Sequence, residues 1–422
     1  MITFIHAADI HLDSPLHKLD AYEGAPTHLI RQAARAAFEN LVNLAIDDAV
    51  SFVLISGDLY DGDWKDYNTG LYFVSRMRRL RDAGIPVFIV AGNHDAASKI
   101  TKHLKLPEGV HLFASAAPET ITLDSIGVAI HGQSFVGPAV TKNLAAAYPT
   151  PAIGYFNIGM LHTALTGREG HAPYAPCTVD DLSSKTYDYW ALGHIHKREI
   201  VKENPWIVFP GNIQGRHIRE TGEKGCMRVS ATGAGTVSME FVPLDVIRWA
   251  ELPVDTTGLE NGYDALELFT RSLSSLMDDH SGTPLVVRAI FSGDSRAIED
   301  FVAEPDRWKN EIRSAAADIS RETVWVEKIR IQTRPAGHSM APDLSGSPVG
   351  QLSVIIDAFQ NDADALGQLL DAELSALAAK LPPEIKHGDD PLQTDDPAWQ
   401  RMILDQARSL LLAHLMKEKD AG

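Results

Sequence analysis

Nine residues in this chain have the types and spacing to do phosphate chemistry. They stand in five short motifs: Asp9-Ile10-His11, Gly57-Asp58, Gly92-Asn93-His94-Asp95, His162, and Gly193-His194-Ile195-His196. Carboxylates, imidazoles and one amide oxygen, with no sulfur, suit a pair of hard or borderline cations. Two cations about 3.5–4 Å apart need a shared anionic ligand, and a carboxylate can bridge them. Asp58 is the candidate for that bridge. In Asp9-x-His11 and His194-x-His196 the i, i+2 spacing puts both side chains on one side of an extended backbone, so each pair can reach a common point. Such a centre polarises phosphoryl oxygens, acidifies a bound water and stabilises an in-line displacement.

Each motif alone has an ordinary alternative. With 17 histidines in 422 residues, a chance His-x-His is expected ~0.7 times. Asp9 and Asp58 could be Asx turns closing a strand, Gly92-Asn93 an ordinary turn, and His162 a satisfied core histidine. The ordered conjunction decides between the readings, because every motif follows an apolar run by a residue or two. Ligand sites of open α/β sheets form beyond the carboxyl ends of strands.

The positioning elements are read from periodicity. Residues 1–247 begin with strand Ile2–His6, a helical pattern over Leu29–Val50, strand Phe52–Ser56, a helix near Tyr67–Ala83 and strand Val87–Ala91. Further runs at Gly127–Gly132, Asn157–His162, Tyr189–Gly193, Trp206–Phe209, Met227–Ser230 and Val237–Val242 have fewer helices between them, which predicts many antiparallel strands. The expected fold class is α/β, a two-sheet sandwich flanked by helices. Residues 248–338 then read as a small α+β module: strand Ala250–Val254, helix Leu259–Met277, strand Pro284–Phe291, helix Ser295–Ser314 and strand Val324–Thr333. Residues 339–422 are expected to hold a linker and C-terminal helices. The Pro/Gly/Ser-rich stretch Arg334–Gly350 is that linker, and Leu352–Leu381 and Pro397–Lys419 have helical periodicity.

Composition bounds the function. Hydrophobic residues are 45% and charged residues 22%, which is a folding composition. No run of 18 apolar residues and no signal-peptide pattern occurs at the N-terminus, so no membrane association and a cytoplasmic location are expected. Two cysteines, Cys177 and Cys226, are too few for a thiolate cluster or a disulfide framework. The net charge of -18 argues against coating nucleic acid by bulk electrostatics. Residues 1–247 carry 26 acids and 21 bases, whereas residues 339–422 carry 14 and 6, so the acidic excess is densest at the C-terminus.

The motif series resembles the calcineurin-like metallophosphoesterases, and within them the DNA-repair exonuclease branch of SbcD-like and YhaO-like proteins. The likeness covers about residues 1–247. The segments His6-Ala-Ala-Asp-Ile-His-Leu-Asp-Ser-Pro15 and Pro210-Gly-Asn-Ile-Gln-Gly-Arg-His-Ile-Arg219 look most like the YhaO-like subgroup. The resemblance implies a metal-dependent DNA nuclease, an exonuclease in DNA repair, with a phosphoesterase of nucleotides or other small phosphate esters as the alternative. It implies two divalent cations, Mn²⁺ with Mg²⁺ as substitute. Asp9, His11 and His196 would hold one and Asn93, His162 and His194 the other, with Asp58 shared.

Under the same resemblance His94 would be catalytic, facing the substrate phosphate and able to donate a proton to the leaving alkoxide. Asp95 reads as a capping residue that orients His94. Some relatives carry a histidine three residues after the bridging aspartate, where this chain has Asp61. Residues 248–338 match in position the capping domain of the branch; there Arg288, Arg296, Lys328 and Arg330 are phosphate contacts or solvated surface charges. Arg216, His217 and Arg219 are DNA contacts or salt-bridge partners. The C-terminal helix, with Trp399, Ile403, Ala407, Leu410 and Leu411 in an apolar stripe, packs on its own chain or docks on the coiled coil of an SMC-like ATPase. A homodimer is compatible with the resemblance.

Overall fold

In a computed structural model, the described residues are 1–14, 27–61, 67–97, 105–166, 174–232, 237–280, 282–320, 323–335 and 348–380, with scattered positions between 396 and 411. The chain divides into two compact units, Met1–Glu251 with 281–287 and 323–327, and the remainder from Leu252 onward.

The first unit is the expected sandwich. One sheet is built from β1 (Ile2–Ala7), β2 (Phe52–Ser56), β3 (Val87–Val90), β4 (Val110–Leu112), β11 (Gly225–Ala231) and β12 (Val237–Pro243), in the order β12-β11-β1-β2-β3-β4. The other contains β5 (Glu119–Leu123), β6 (Val128–Gly132), β7 (Phe156–His162), β8 (Tyr189–Gly193), β9 (Glu199–Glu203) and β10 (Trp206–Phe209), in the order β5-β6-β7-β8-β10-β9. β1 through β4 run parallel, and β11 and β12 are antiparallel additions.

In the second sheet the expectation of many antiparallel strands fails at the centre. β6, β7, β8 and β10 are mutually parallel, and only the edges β5 and β9 are antiparallel. The scarcity of helices misleads here: the connections into β7 and β8 are long enough for crossovers yet, among the described residues, hold only a short 3-10 turn at Ala145–Ala147 and the five-residue helix α4 (Val179–Ser183), and β9 carries the chain back so that β10 enters beside β8.

Alternation explains why the sheets stack. In β2 the odd and even residues are all buried, Phe52 and Leu54 in the inter-sheet core and Val53 and Ile55 against the helical side. On that side lie α1 (Thr27–Asp47) and α2 (Tyr67–Asp82). The stripe Ile30, Ala33, Ala34, Ala37, Phe38, Leu41, Val42 and Ala45 of α1 follows the i, i+3, i+4 pattern and is buried throughout. Each large side chain so buried contributes about 1.5–3 kcal/mol relative to exposure.

Three more strands, β13 (Arg248–Asp255), β14 (Leu285–Asp294) and β15 (Val324–Arg334), form a third sheet in that order. In the second unit α5 (Gly262–Asp279) packs with α6 (Ala297–Ala303) and α7 (Pro305–Ser320) through Tyr263, Phe301 and Trp308. The single helix expected over Ser295–Ser314 is two, broken at Glu304, because Pro305 cannot donate its backbone nitrogen inside a helix but suits the first position of one. The helix expected over Leu352–Leu381 is likewise two, α8 (Pro348–Asn361) and α9 (Ala363–Lys380). Asp362 between them accepts the Ala365 N–H at 3.0 Å as an N-cap. Residues 336–347 of the expected linker Arg334–Gly350, the spacer Pro382–Asp396 up to its last residue, and most of the terminal helix lie outside the described residues. Where that helix is described, Arg408 pairs with Asp357 of α8 at 2.5 Å.

The inter-sheet core centres on Phe52, fully buried, stacked on Phe4 at 4.9 Å and edge-on to Phe88 at 6.1 Å. Phe52→Ala should lower the unfolding free energy by about 3–5 kcal/mol, read as a fall in the urea midpoint. A loss under about 1 kcal/mol would mean that the two sheets close over the cavity.

Candidate metal centre

All five motifs lie at one end of the sandwich because the strands that carry them run in common directions. Asp9 stands two residues past β1, Asp58 two past β2, and Asn93 three past β3, where it opens the short helix α3 (Asn93–Ala97). His162 ends β7 and His194 follows β8, and the register sets His162 beside Gly193.

The backbone turns sharply to deliver these side chains. Asp9, His11, Asp58 and His194 have φ of 51°, 46°, 50° and 100°. Non-glycine residues pay for such conformations, about 1–2 kcal/mol each in the left-handed region. Local bonds hold the turns: Asp9 N–H donates to Gly57 O at 3.0 Å and His11 N–H to Asp58 O at 3.0 Å. Two glycines are required by close approach. A Cβ on Gly193 would sit 1.8 Å from Ser56 O, and one on Gly92 would sit 2.3 Å from Asp58 Oδ1.

The structure brings the candidate ligands together in the groups that the resemblance implied. Asp9, His11 and His196 have ligand atoms within 4.8 Å of one another, as do Asp58, His162 and His194. His162 Nε2 also lies 3.0 Å from Asn93 Oδ1. His94 forms a third such group with His11 and Asp58, but its Nδ1 donates to Asp61 Oδ1 at 2.8 Å, and its ring is 40% exposed while the others are largely buried.

The lone pairs test whether cations fit. His162 Nδ1–H donates to Ser56 O at 3.0 Å, so in the neutral ring Nε2 is a lone pair, yet it faces Asn93 Oδ1 at 3.0 Å and Asp58 Oδ2 at 3.4 Å. His196 Nδ1–H donates to Glu220 Oε1 at 2.6 Å, leaving its Nε2 lone pair 3.2 Å from His11 Nε2 and 3.9 Å from Asp9 Oδ1. At His162 an acceptor thus faces acceptors, which is stable only around positive charge. Protonation trends agree. Burial lowers His162, but the charge and hydrogen bond of Asp58 prevail and raise it to about 9. Burial opposes ionisation of Asp58 too, and His162 overcomes it, holding that carboxyl well below the usual range. Burial pushes Asp9 up to about 6 and His11 down to about 3, so His11 presents a neutral ring. The donor set fits divalent cations.

Three carboxylates complete the frame. Asp95 caps α3, as the sequence suggested, accepting from the N-cap Gly92 N at 3.0 Å; its oxygens also accept from Leu59 N (3.2 Å) and Tyr60 N (2.9 Å), tying the Asp58 loop to the Asn93 loop. Asp61 takes the orienting role, touching His94 and lying 3.6 Å from His11 Nδ1. Glu220 escaped the sequence reading. It is buried and accepts from His196, Asn212 Nδ2 (2.9 Å) and Arg216 N (2.8 Å). Its one sequence signal was its place directly after the Pro210–Arg219 motif.

The DNA-contact candidates divide. Arg216 is held between Asp61 at 3.5 Å and Glu220 at 3.4 Å, and His217 lies 3.6 Å from Glu220. Both therefore have the salt-bridge surroundings that were the other reading. Arg219 is exposed and has no ion pair among the described residues. Arg288 is 8% exposed and is not a solvated surface charge, Arg296 pairs with Glu260 at 3.1 Å, and Lys328 is exposed.

Comparison with known proteins gives the following likenesses. Residues 2–211 match the family described as calcineurin-like phosphoesterase, and residues 249–334 the one described as metallophosphoesterase YhaO, middle domain. The protein named uncharacterized metallophosphoesterase YhaO, from Bacillus subtilis, is 38% identical over 296 residues, covering 69% of this chain and 72% of its own length. The DNA double-strand break repair protein Mre11 of Sulfurisphaera tokodaii is 28% identical over 203 residues, 46% of this chain and 49% of its own. The protein of the same name from Methanopyrus kandleri is 26% identical over 276 residues, 57% of this chain and 56% of its own. The chain thus spans about half the length of these two archaeal relatives.

Glu220 fixes the tautomer of His196, and loss of such a partner typically costs 10–100-fold in metal affinity. Glu220→Ala should weaken Mn²⁺ binding by about that factor, measured by titration calorimetry with dialysed protein. Unchanged affinity would show that His196 is oriented by something else.

Proposed function

This chain belongs to the calcineurin-like phosphoesterases, a family of metal-dependent hydrolases, and from that membership we propose that it is a two-cation DNA nuclease, an exonuclease of DNA repair. The observation that carries the reading is the convergence of His162 Nε2, Asn93 Oδ1 and Asp58 Oδ2 beside the His11–His196 pair. On this reading Asp9, His11 and His196 hold one cation, Asn93, His162 and His194 the other, and Asp58 both. Mn²⁺ is the proposed metal, with Mg²⁺ as substitute. Bound cations would supply Lewis acidity toward the phosphoryl group and acidify a water.

The chain's own residues do the rest. His94 N–H donates to Asp58 Oδ1 at 3.0 Å, which fixes the start of α3 against the bridge. Its side chain is left partly exposed at the mouth. With Nδ1–H held by Asp61, the protonated ring of this half-exposed side chain can donate from Nε2 to a phosphoryl oxygen or the leaving alkoxide. Burial lowers the His94 pKa, but the Asp61 hydrogen bond prevails and raises it, which favours the protonated donor. Arg216 places a guanidinium beside Asp61 and Glu220, where it offsets their charge.

The likeness to archaeal DNA double-strand break repair proteins supports DNA as substrate. A second reading, hydrolysis of nucleotides or other small phosphate esters, is favoured by the engagement of Arg216 in ion pairs and by the net charge of -18. The proposal extends to partners, namely DNA, a second copy of the chain, and an SMC-like ATPase docked on the helix from Pro397; the Arg408–Asp357 pair supports instead a terminal segment packed on its own chain. No helix among the described residues is long and apolar enough to cross a membrane.

Purified protein with Mn²⁺, offered linear duplex DNA, circular single-stranded DNA and p-nitrophenyl phosphate esters, tests the reading. Shortening of the linear substrate with circles intact supports an exonuclease, and turnover of the esters alone supports the second reading. Asp58→Asn should cost more activity and more bound metal than Asp9→Asn, because the bridge serves both cations; two tightly held metals in the Asp58 variant would refute the bridge. His94→Ala should keep both metals yet lose about 10²–10⁴-fold in turnover, with Asp61→Asn losing part of the same amount. Joint loss of metal from the His94 variant would make it a ligand.

A further inference from the structure

Each proposed cation position draws ligands from both sheets. Asp9, His11, Asp58 and Asn93 follow β1, β2 and β3 of one sheet, whereas His162, His194 and His196 end or follow β7 and β8 of the other. The inference here rests on that ligand assignment. Apolar packing between sheets is non-directional and tolerates small slides, but ligand bonds of about 2.1 Å do not.

One buried residue departs from that apolar packing next to the site. The β1 side chains aimed at the second sheet are Ile2, Phe4 and His6, of which Ile2 and Phe4 lie in the inter-sheet core and His6 is fully buried at the end nearest Asp9. His6 Nε2–H donates to Leu192 O at 3.1 Å, which leaves Nδ1 to accept from the fully buried Tyr189 OH at 3.0 Å. Both partners belong to β8, which leads directly into His194. Nearby, Ser56 Oγ–H of β2 donates to Ala191 O at 3.0 Å, and the Asp9 carboxylate accepts the His194 N–H at 3.0 and 3.1 Å. These directional bonds form a seam across the sandwich just beneath the ligands.

We propose that His6 is a positioning residue that fixes the spacing and register of β1 against β8, and so the distance between the two cations. Burial pushes the His6 ring down to about 3, so it stays neutral, with one donor and one acceptor. A polar ring in this place costs desolvation that a phenyl would avoid, and directional bonding is what a phenyl lacks.

The test uses the full-length protein and Mn²⁺ alone, with affinity from titration calorimetry and the inter-metal distance from electron paramagnetic resonance. Wild-type protein should bind two Mn²⁺ with a spin-coupled spectrum. His6→Phe orphans Tyr189 OH and should destabilise the fold. The double variant His6→Phe/Tyr189→Phe removes both side-chain partners and should melt close to wild type. Both should lose about 10–100-fold in Mn²⁺ affinity and show the spectrum of uncoupled ions. His6→Gln, which can still donate and accept, should recover part of the affinity and the coupling. A double variant with wild-type affinity and a coupled spectrum overturns the positioning role while leaving the metal centre intact. Wild-type protein that fails to bind two Mn²⁺ overturns the ligand assignment itself, and with it this inference.

Discussion

Lone pairs of like character, brought from two sheets to common buried points, are the constraint to which the rest of the first unit conforms. A neutral imidazole nitrogen, an amide oxygen and a carboxylate oxygen crowded within 3.0–3.4 Å repel unless positive charge lies among them. Holding them there takes a rigid base, which two stacked sheets provide through an interior of Phe4, Phe52, Phe88 and their neighbours. It also takes turns tight enough that four residues in three of the ligand-bearing loops, Asp9, His11, Asp58 and His194, adopt positive φ. The strain is local, and the hydrogen bonds that offset it are local too.

Electrostatics within the centre are arranged by pairs. The ring nitrogens of His162 and His196 that do not face the cluster are each committed to an acceptor, a carbonyl for one and Glu220 for the other. His94 is committed to Asp61 in the same way. Each commitment fixes a tautomer and thereby decides which edge of the ring can ligate or donate. Arg216, lying between Asp61 and Glu220, balances two carboxylates that would otherwise add to an already anionic cluster.

Much of this was legible in the sequence, and the part that was not has identifiable physical causes. Strand ends were readable because burial on both faces of segments such as Phe52–Ser56 leaves a clear apolar run, and each motif follows one directly. The direction of β6 through β10 was not, because their long connections carry almost no helical periodicity to mark them as crossovers. Helix breaks at Glu304 and Asp362 fell inside continuous apolar periodicity and were signalled only by Pro305 and by a capping aspartate. Glu220 and Asp61 were missed in their roles for one reason: a carboxylate that acts by receiving a hydrogen bond from a partner 24 or 33 residues away leaves no local pattern. The capping role of Asp95 was legible because its bond to Gly92 is local, whereas its bonds to Leu59 and Tyr60 of another loop were not.

The bonds to Asp95 and Asp9 have a dynamic corollary. Loops that bear functional residues usually open in local fluctuations far cheaper than global unfolding. Here the amides of Leu59, Tyr60 and Gly92 donate to one buried carboxylate and that of His194 to another, so no single loop can lift without stranding an anion in the interior. In hydrogen exchange, these four loop protons are therefore expected to exchange as core-strand protons do, only when the sandwich itself comes apart.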